Sequence, residues 1–298
     1  GVFASVVGTI MLLDEEERRR VKGVIINKFR GRVDLFKGAM KQLEDIINIP
    51  VLGVMPHCTL DIEDEDGVSE KILRKNNKKE KIDIAVIKLS HISNFTDFNN
   101  LERMDGLSVR YVKDVSEIGN PHMIIIPGSK STIDDLKHIK NIGLYEKIKE
   151  LHSNGCLIFG ICGGYQMLGE KIIDDEKIEG DTLEELGFKF LDFNTRFKKE
   201  KTTVQTKAHI NKDNPINKYI SDIKLEGYEI HNGVNEYKED AISFICDDEN
   251  RIIGSINKEG TVIGTYLHGI FDSDEFNLKL IEYIAKKNNI SIENINKE

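Results

Sequence analysis

Short apolar, β-branched runs alternate along this chain with longer stretches of helical character, and this alternation restricts the fold more than any other feature. The runs that predict buried strands are 82–89 (IDIAVIKL), 107–112 (LSVRYV), 122–126 (HMIII), 156–161 (CLIFGI) and 261–267 (TVIGTYL). Helical stretches are expected near 133–151, from about Tyr165, and at 277–287. The sequence therefore predicts an α/β fold on a parallel sheet, with functional loops at the carboxyl ends of the strands.

The first 75 residues predict a separate strand–helix–strand unit. Its elements are a strand at 21–27 (VKGVIIN), a helix at 35–47 and a strand at 50–55 (PVLGVM). The apolar run 2–13 is too short to span a bilayer and has neither a preceding basic segment nor a cleavage site, so it predicts a buried segment of a domain.

Polar and irregular stretches predict how the chain is divided. Residues 75–81 (KNNKKEK) have no periodicity and predict a linker, so we expect domains at 1–78 and 79–298. Residues 197–226 are rich in Lys, Asn and Thr and are interpreted as an excursion from the sheet.

Charge and cysteine content exclude several functional classes. The 298 residues carry a net charge of −9, which is unfavourable for non-specific nucleic-acid binding. The four cysteines form no CxxC pair and no zinc-finger spacing, so we expect no bound metal. We also expect reduced thiols in a cytoplasmic protein. No membrane span is expected, since the apolar run 2–13 is too short.

The segment Gly160-Ile161-Cys162-Gly163-Gly164 is the strongest chemical signal. A predicted strand ends here and a helix begins, and glycines two residues before and after a nucleophile relieve the crowding of such a turn. This geometry presents the Cys162 thiol above the sheet, where the amide of Gly163 can stabilise an oxyanion. The alternative is a buried structural cysteine beside a glycine turn.

A thiol nucleophile requires a base, and two histidines have suitable settings. His268 follows a late strand, and His231 lies in a polar run (GYEIHNG). Because the carboxyl ends of parallel strands share one edge of a sheet, His268 is expected to meet Cys162 there, and His231 to shape the site.

Two further strand ends carry weaker signals. Gly128 follows the buried run 122–126, so its amide is a second candidate oxyanion donor, and the adjacent Ser129 and Lys130 are candidates for substrate contacts; a plain β–α turn is the alternative. Asn27 and Lys28 close the first predicted strand at a position where nucleotide-binding α/β domains often contact a base.

Several of these segments together resemble the cobyric acid synthase branch of the class I glutamine amidotransferases. The segment ICGGYQMLG (161–169) resembles its nucleophile motif, and TYLHGIF (265–271) resembles the segment with its catalytic histidine. The remaining similar segments, in family order, are GVFAS (1–5), INKFRG (26–31), PVLGVMP (50–56), ISNFTDF (92–98), PGSKST (127–132) and GYEIHNG (227–233).

The resemblance implies a flavodoxin-like class I glutaminase domain that follows the last part of a P-loop domain similar to dethiobiotin synthetase. Its implied catalytic residues are Cys162 and His268. Such enzymes use glutamine, ATP and Mg²⁺ to amidate the b, d, e and g carboxylates of adenosyl-cobyrinic acid a,c-diamide in cobalamin biosynthesis. Glutamine and the corrinoid are therefore the expected ligands.

The sequence departs from the family pattern in two places. No GxxxxGK[ST] motif is present, so the phosphate-binding loop is expected upstream of Gly1, and this chain alone is expected to bind no cofactor and to lack ATP-dependent amidation. Many class I glutaminases have a His-x-Glu pair, but Ile270 stands where the Glu would be, which leaves the third catalytic residue open. The alternatives are a glutaminase subunit of another amidoligase and a non-catalytic module of the same fold.

Overall fold

The computed structural model describes residues 1–57 and 81–291. The chain divides into two compact units, residues 1–63 and 64–298. The predicted domain boundary between 78 and 79, and all but the last residue of the predicted linker at 75–81, lie outside the described residues. No helix among the described residues is long and apolar enough to cross a membrane.

The first unit contains the predicted strand–helix–strand motif. Its elements are α1 (Val2–Leu12), α2 (Glu15–Arg20), β1 (Val24–Phe29), α3 (Val33–Ile47) and β2 (Val51–Pro56). Strands β1 and β2 pair in parallel, and Ile26, Leu43 and Val51 are buried in a small core between sheet and helices. The strand–helix–strand prediction is confirmed.

The apolar run 2–13 forms helix α1, and the prediction of a buried segment is wrong for its last turn. Ile10 is buried, whereas Met11 and Leu12 are exposed. Nearly every position of this helix is apolar, so packing one face against the core leaves apolar side chains on the other face.

The second unit begins at residue 81 of the described chain and contains most of the secondary structure. Its first half comprises β3 (Ile82–Ile87), β4 (Ile92–Ser93), α4 (Asn99–Glu102), β5 (Leu107–Val112), α5 (Val115–Ile118), β6 (Met123–Ile126), β7 (Gly128–Ser129), α6 (Thr132–Asn141), α7 (Leu144–Ser153), β8 (Leu157–Ile161) and α8 (Gly163–Leu168). Its second half comprises β9 (Lys171–Ile173), β10 (Glu184–Leu186), β11 (Phe193–Ile210), β12 (Lys224–Tyr237), β13 (Ile242–Asp247), β14 (Ile252–Ile256), β15 (Val262–Thr265) and α9 (Asp274–Lys287).

Five parallel strands form the centre of one mixed sheet, in the order β5-β3-β6-β8-β15. Numbered along the chain, this order is 2-1-3-4-5, which is the flavodoxin-like arrangement. The antiparallel strands β14 and β13 and the β11–β12 pair extend the sheet beyond β15. The predicted fold class is confirmed.

Side chains of the central strands alternate between two hydrophobic cores. On β3, Ile84 and Val86 lie in the core that includes helix α9, whereas Ala85 and Ile87 lie in the core that includes helices α6 and α7. Both faces of the parallel strands are therefore covered, which explains why these strands are continuous apolar runs in the sequence.

The interpretation of residues 197–226 as an excursion from the sheet is wrong for 197–210 and 224–226, which lie in strands β11 and β12; only residues 211–223 between them contain no strand. Strand β11 spans Phe193–Ile210 and pairs antiparallel with β12 over most of its length, and its end also pairs with β13. Only one side of this hairpin is covered: Ala208 and Ile210 are buried, whereas Gln205 and Lys207 are exposed. A strand with one solvated face needs few apolar residues, so its composition is similar to that of a loop.

Candidate active site

Cys162 occupies a strained turn between strand β8 and helix α8. Its backbone dihedrals are φ 50° and ψ −109°, in a region that residues with a side chain rarely adopt. The residue is 5% exposed, and its thiol donates to the carbonyl oxygen of Ile230 at 3.5 Å. Backbone strain of this kind persists where the surrounding structure fixes one side chain in a functional position.

The glycines around Cys162 allow helix α8 to lie directly against strand β6. A Cβ atom at Gly164 would be 1.9 Å from the carbonyl oxygen of Ile126, and one at Gly160 would be 2.8 Å from the oxygen of Gly164. The sequence predicts this crowding from the spacing of the glycines alone. The helix begins at Gly163, two residues earlier than predicted.

A cavity of about 270 Å³ opens beside the Cys162 thiol. Its lining comes from β4 and the loop after it, from β7 and the turn into α6, from Cys162 and α8, from the segment between β9 and β10, and from the β11–β12 hairpin. The lining residues are Ser93, Asn94, Ser129, Lys130, Thr132, Cys162, Gln166, Glu179, Phe197, Lys201, Ile230, His231 and Asn232. The predicted Cys162, His231, Ser129 and Lys130 therefore share one pocket.

His268 lies three residues after β15 and is fully buried. Its Nδ1 atom is 2.8 Å from the Oδ2 atom of Asp97, and the other carboxylate oxygen of Asp97 accepts the amide of Gly269 at 3.1 Å. Asp97 is only 5% exposed. The imidazole is therefore fixed in orientation by a buried carboxylate on its Nδ1 side, and its Nε2 atom lies 3.3 Å from Nδ2 of Asn94, a residue that lines the cavity.

The electrostatic setting of His268 favours the imidazolium form. Burial lowers the pKa of His268, but interactions with Asp97 and Cys162 outweigh it and raise the pKa to about 10. The predicted pair Cys162 and His268 is thus close enough to interact, at the shared edge of strands β8 and β15.

Tyr228 covers the face of His268. The two rings are stacked, with centroids 5.1 Å apart and planes inclined by 17°. The amide of each residue also donates to the carbonyl oxygen of the other, at 3.2 and 2.9 Å. Tyr228 therefore positions both the backbone and the ring of the histidine.

The hydrogen bonds of His231 do not involve the Cys162 thiol. Its Nδ1 is 2.7 Å from the carbonyl oxygen of Gly233, its Nε2 is 3.3 Å from Glu229, and its ring stacks on Tyr266 at 3.8 Å. Both ring nitrogens thus face protein groups other than Cys162. This placement agrees with the expectation that His231 shapes the pocket.

Glu229 anchors the strand that carries His231. The side chain is fully buried, accepts Arg251 at 2.6 Å and 3.1 Å, and accepts the hydroxyl of Thr206 at 2.9 Å. Burial opposes the charged form, but the hydrogen bonds from His231, Arg251 and Thr206 lower the pKa of Glu229 to about 2.

The two predicted oxyanion donors lie on different elements, Gly128 in strand β7 and Gly163 at the start of helix α8. Gly163 is the first residue of helix α8, so its amide has no acceptor within the helix. A Cβ atom at Gly128 would lie 3.3 Å from Cε1 of His268, and Gly128 pairs with Ser93 across the short antiparallel β4–β7 ladder. Both glycines are therefore close to the reacting groups, and their role as donors stays a prediction.

Asn27 and Lys28 lie in the first unit, where β1 continues to Phe29 rather than ending at Lys28. The pairing with β2 is irregular between Ile26 and Phe29, and Lys28 has a φ of 54°. The Oδ1 atom of Asn27 accepts the amide of Lys28 at 2.8 Å, and both residues are exposed. Their contact with the base of a nucleotide stays a prediction.

Two residues of the pocket region were not identified from the sequence. Asp97 is separated from His268 by 171 positions, so no local spacing in the sequence connects them. The sequence indication for Asp97 is its place in the segment 92–98 (ISNFTDF), which resembles the family. Glu179 lines the cavity and accepts the Thr132 hydroxyl at 3.1 Å and the Ile133 amide at 3.2 Å. Burial raises the pKa of the Glu179 carboxyl.

Comparison with known proteins agrees with this geometry. A family model described as the CobB/CobQ-like glutamine amidotransferase domain matches residues 83–276. A cobyric acid synthase from Clostridium botulinum is 52% identical over 293 residues, covering 98% of this chain and 58% of that protein. A cobyric acid synthase from Clostridium perfringens is 53% identical over 294 residues, covering 99% and 58%. The chain thus spans little more than half the length of these relatives.

Solved structures share the fold. The structure of PurLQS from Thermotoga maritima aligns with a TM-score of 0.53 and 19% identity, covering 68% of this chain and 99% of that chain. A structure described as a glutamine amidotransferase aligns with a TM-score of 0.50 and 14% identity, covering 70% and 99%. At these sequence identities, the two comparisons show a shared fold and nothing further.

Proposed function

The chain belongs to the family of CobB/CobQ-like glutamine amidotransferases, and we propose that its second unit hydrolyses the side-chain amide of glutamine. One observation carries this proposal: a strained Cys162 at a strand–helix turn lines a cavity and interacts with a buried histidine, His268, which a buried carboxylate orients. A thiol, an imidazole and an orienting carboxylate are the groups that acyl transfer through a thioester requires.

In the proposed first half-reaction, the Cys162 sulfur attacks the amide carbon of glutamine and a carbon–sulfur bond forms. His268, in the imidazolium form that the site favours, already holds the proton taken from the thiol and donates it to the amide nitrogen as the carbon–nitrogen bond breaks and ammonia leaves. The Asp97 carboxylate keeps the proton on Nδ1, so that Nε2 carries out both transfers.

The second half-reaction regenerates the thiol. His268 removes a proton from a water molecule, which attacks the thioester carbon. The carbon–sulfur bond breaks, His268 returns the proton to the Cys162 sulfur, and glutamate leaves. In both half-reactions negative charge develops on the former amide oxygen. The amides of Gly163 and Gly128 are the donors proposed to stabilise it.

At the level of the whole protein, the proposed activity is that of a cobyric acid synthase, with this chain contributing the glutaminase part. The support is the identity of 52% and 53% to two proteins of that name over almost the whole chain. The released ammonia would then amidate the b, d, e and g carboxylates of adenosyl-cobyrinic acid a,c-diamide in cobalamin biosynthesis. A similarity of this extent favours this assignment over a glutaminase subunit of an unrelated amidoligase.

Carboxylate activation by ATP and Mg²⁺ is assigned to parts of the longer protein beyond this chain. Asn27 and Lys28 are exposed and are proposed to contact the base of a nucleotide, whereas the sequence contains no GxxxxGK[ST] loop, whose backbone amides would hold the phosphates. The chain alone is expected to give no amidated corrinoid, and its glutaminase turnover is expected to be low, since synthetase domains commonly gate such sites.

Labelling of the nucleophile tests the proposal without dependence on turnover. A diazoketone analogue of glutamine (6-diazo-5-oxo-L-norleucine) should form one covalent adduct at Cys162, located by peptide mass spectrometry. Replacing Cys162 with Ala should abolish both labelling and glutamate release. Cys246→Ala is the matched control, because Cys246 is also buried and free but does not line the cavity. An unlabelled parent protein, or an adduct that persists in the Cys162 variant, would contradict the assignment.

A further inference from the structure

The β11–β12 hairpin is irregular where it borders the cavity. Phe197 pairs with Gly233 and Thr202 pairs with His231, so the four residues 198–201 are opposed by Asn232 alone. The side-chain amide of Asn232 donates to the carbonyl oxygen of Lys198 at 3.1 Å. Bulges of this kind redirect a side chain, and they are common beside active sites.

The bulge brings the side chain of Lys201 to the cavity that also holds Cys162. Within residues 1–57 and 81–291, no carboxylate lies at ion-pair distance from Lys201. Its neighbour in the bulge differs: Lys199 is ion-paired with Glu176 at 3.8 Å and does not line the cavity. The bulge therefore supplies the pocket with one ammonium group that has no internal partner in the described structure.

The charges around the cavity match an amino acid headgroup. A glutamine whose amide carbon lies at Cys162 carries an α-carboxylate and an α-ammonium, each only a few bonds away along a short chain. One acidic residue, Glu179, and the basic residue Lys201 both line the cavity. Glu179 is held by the Thr132 hydroxyl and by the amide of Ile133, and its negative charge is complementary to an α-ammonium.

We propose that Lys201 binds the α-carboxylate of glutamine and so makes the site selective for a free amino acid over a γ-amide that lacks this carboxylate. This inference rests on the proposed glutaminase function and specifies which residue recognises the headgroup. Lys130, which also lines the cavity, is the competing cation. We favour Lys201 because a local insertion in an otherwise regular hairpin brings it to the pocket, whereas Lys130 lies in the turn between β7 and α6, which the fold requires in any case.

The test compares two alkylating reagents on the same thiol. The diazoketone analogue of glutamine carries the α-carboxylate, whereas iodoacetamide does not. In Lys201→Gln, we expect the second-order rate constant of Cys162 labelling by the diazoketone to fall about fivefold, as for loss of one solvent-accessible charged contact, with iodoacetamide labelling unchanged. The difference should shrink at high salt, because exposed charges are screened. Lys199→Gln should match the parent protein with both reagents.

Protection experiments give a second readout. L-Glutamine should protect Cys162 of the parent protein from iodoacetamide better than L-glutamine α-amide, which lacks the carboxylate, and Lys201→Gln should lose this discrimination. Equal diazoketone labelling of the parent and Lys201→Gln, or a loss confined to Lys130→Gln, would overturn the proposal. Failure of the diazoketone to label the parent protein would instead count against the glutaminase function itself, so the two failures are distinguishable.

Discussion

Replacing Asp97 with Asn tests how much the buried carboxylate contributes to catalysis. The change keeps the size of the side chain but removes its charge. In the parent protein, the two carboxylate oxygens of Asp97 lie 2.8 Å from Nδ1 of His268 and 3.1 Å from the amide nitrogen of Gly269. An asparagine has only one oxygen to accept from these two donors. A hydrogen bond to a charged group contributes about 1.5–3 kcal/mol. If that contribution is lost from the transition state, kcat for glutamine hydrolysis should fall about 10- to 150-fold.

The pH dependence should change in a defined direction. Asp97 is a main cause of the raised pKa of His268, so the variant should have a lower imidazole pKa. His268 then loses the proton that it gives to departing ammonia at a lower pH. The alkaline limb of the plot of rate against pH should therefore shift to lower pH. Since a raised pKa stabilises the folded state below pH 6.5 and loses this effect as the pH rises through about 10, the stability difference between parent and variant should shrink over that interval.

The assay is glutamate release over a pH series, together with labelling of Cys162 by the diazoketone. Asp97 does not line the cavity, so KM for glutamine should be nearly unchanged. Asp213→Asn, at an exposed position, is the control. A variant whose kcat stays within about twofold of the parent value, or whose loss lies wholly in KM, would refute the role assigned to Asp97.

Two further substitutions test the packing of the site. Because Tyr228 stacks on His268, Tyr228→Leu should lower the labelling rate about 2- to 30-fold and shift its pH profile, whereas Tyr228→Phe, which keeps the ring, should stay near the parent value. Gly164→Ala should lower the free energy of unfolding by about 2 kcal/mol or more, because the added Cβ would be 1.9 Å from the oxygen of Ile126; denaturant unfolding measures this. Gly180→Ala, with nothing near its Cβ position, should change it by less than about 0.5 kcal/mol, and equal losses at the two glycines would contradict the crowding argument.

The parallel half of the fold could be predicted because its signals are local. A strand buried on both faces must be apolar along its whole length, and this is visible in 82–87 and 157–161 without knowledge of the neighbours. The turn at Cys162 is equally local, since glycines at fixed offsets mark the places where a side chain would collide with β6. The β11–β12 hairpin gave no such signal, because residues 198–207 of β11 contain a single apolar residue, Val204, and that residue is exposed.

The pairing of Asp97 with His268 shows why site residues are harder to predict than strands. In many class I glutaminases the orienting carboxylate stands two residues after the histidine, where a sequence motif reveals it. Here that position holds Ile270, which is buried in the core, and the carboxylate comes instead from the short 3₁₀ segment after β4. That segment and the loop after β15 meet at the carboxyl edge of the sheet. Only the order of the strands, with β3 and β15 in one parallel sheet, makes the contact possible. The chemistry thus depends on which loops share that edge rather than on which residues are adjacent in sequence.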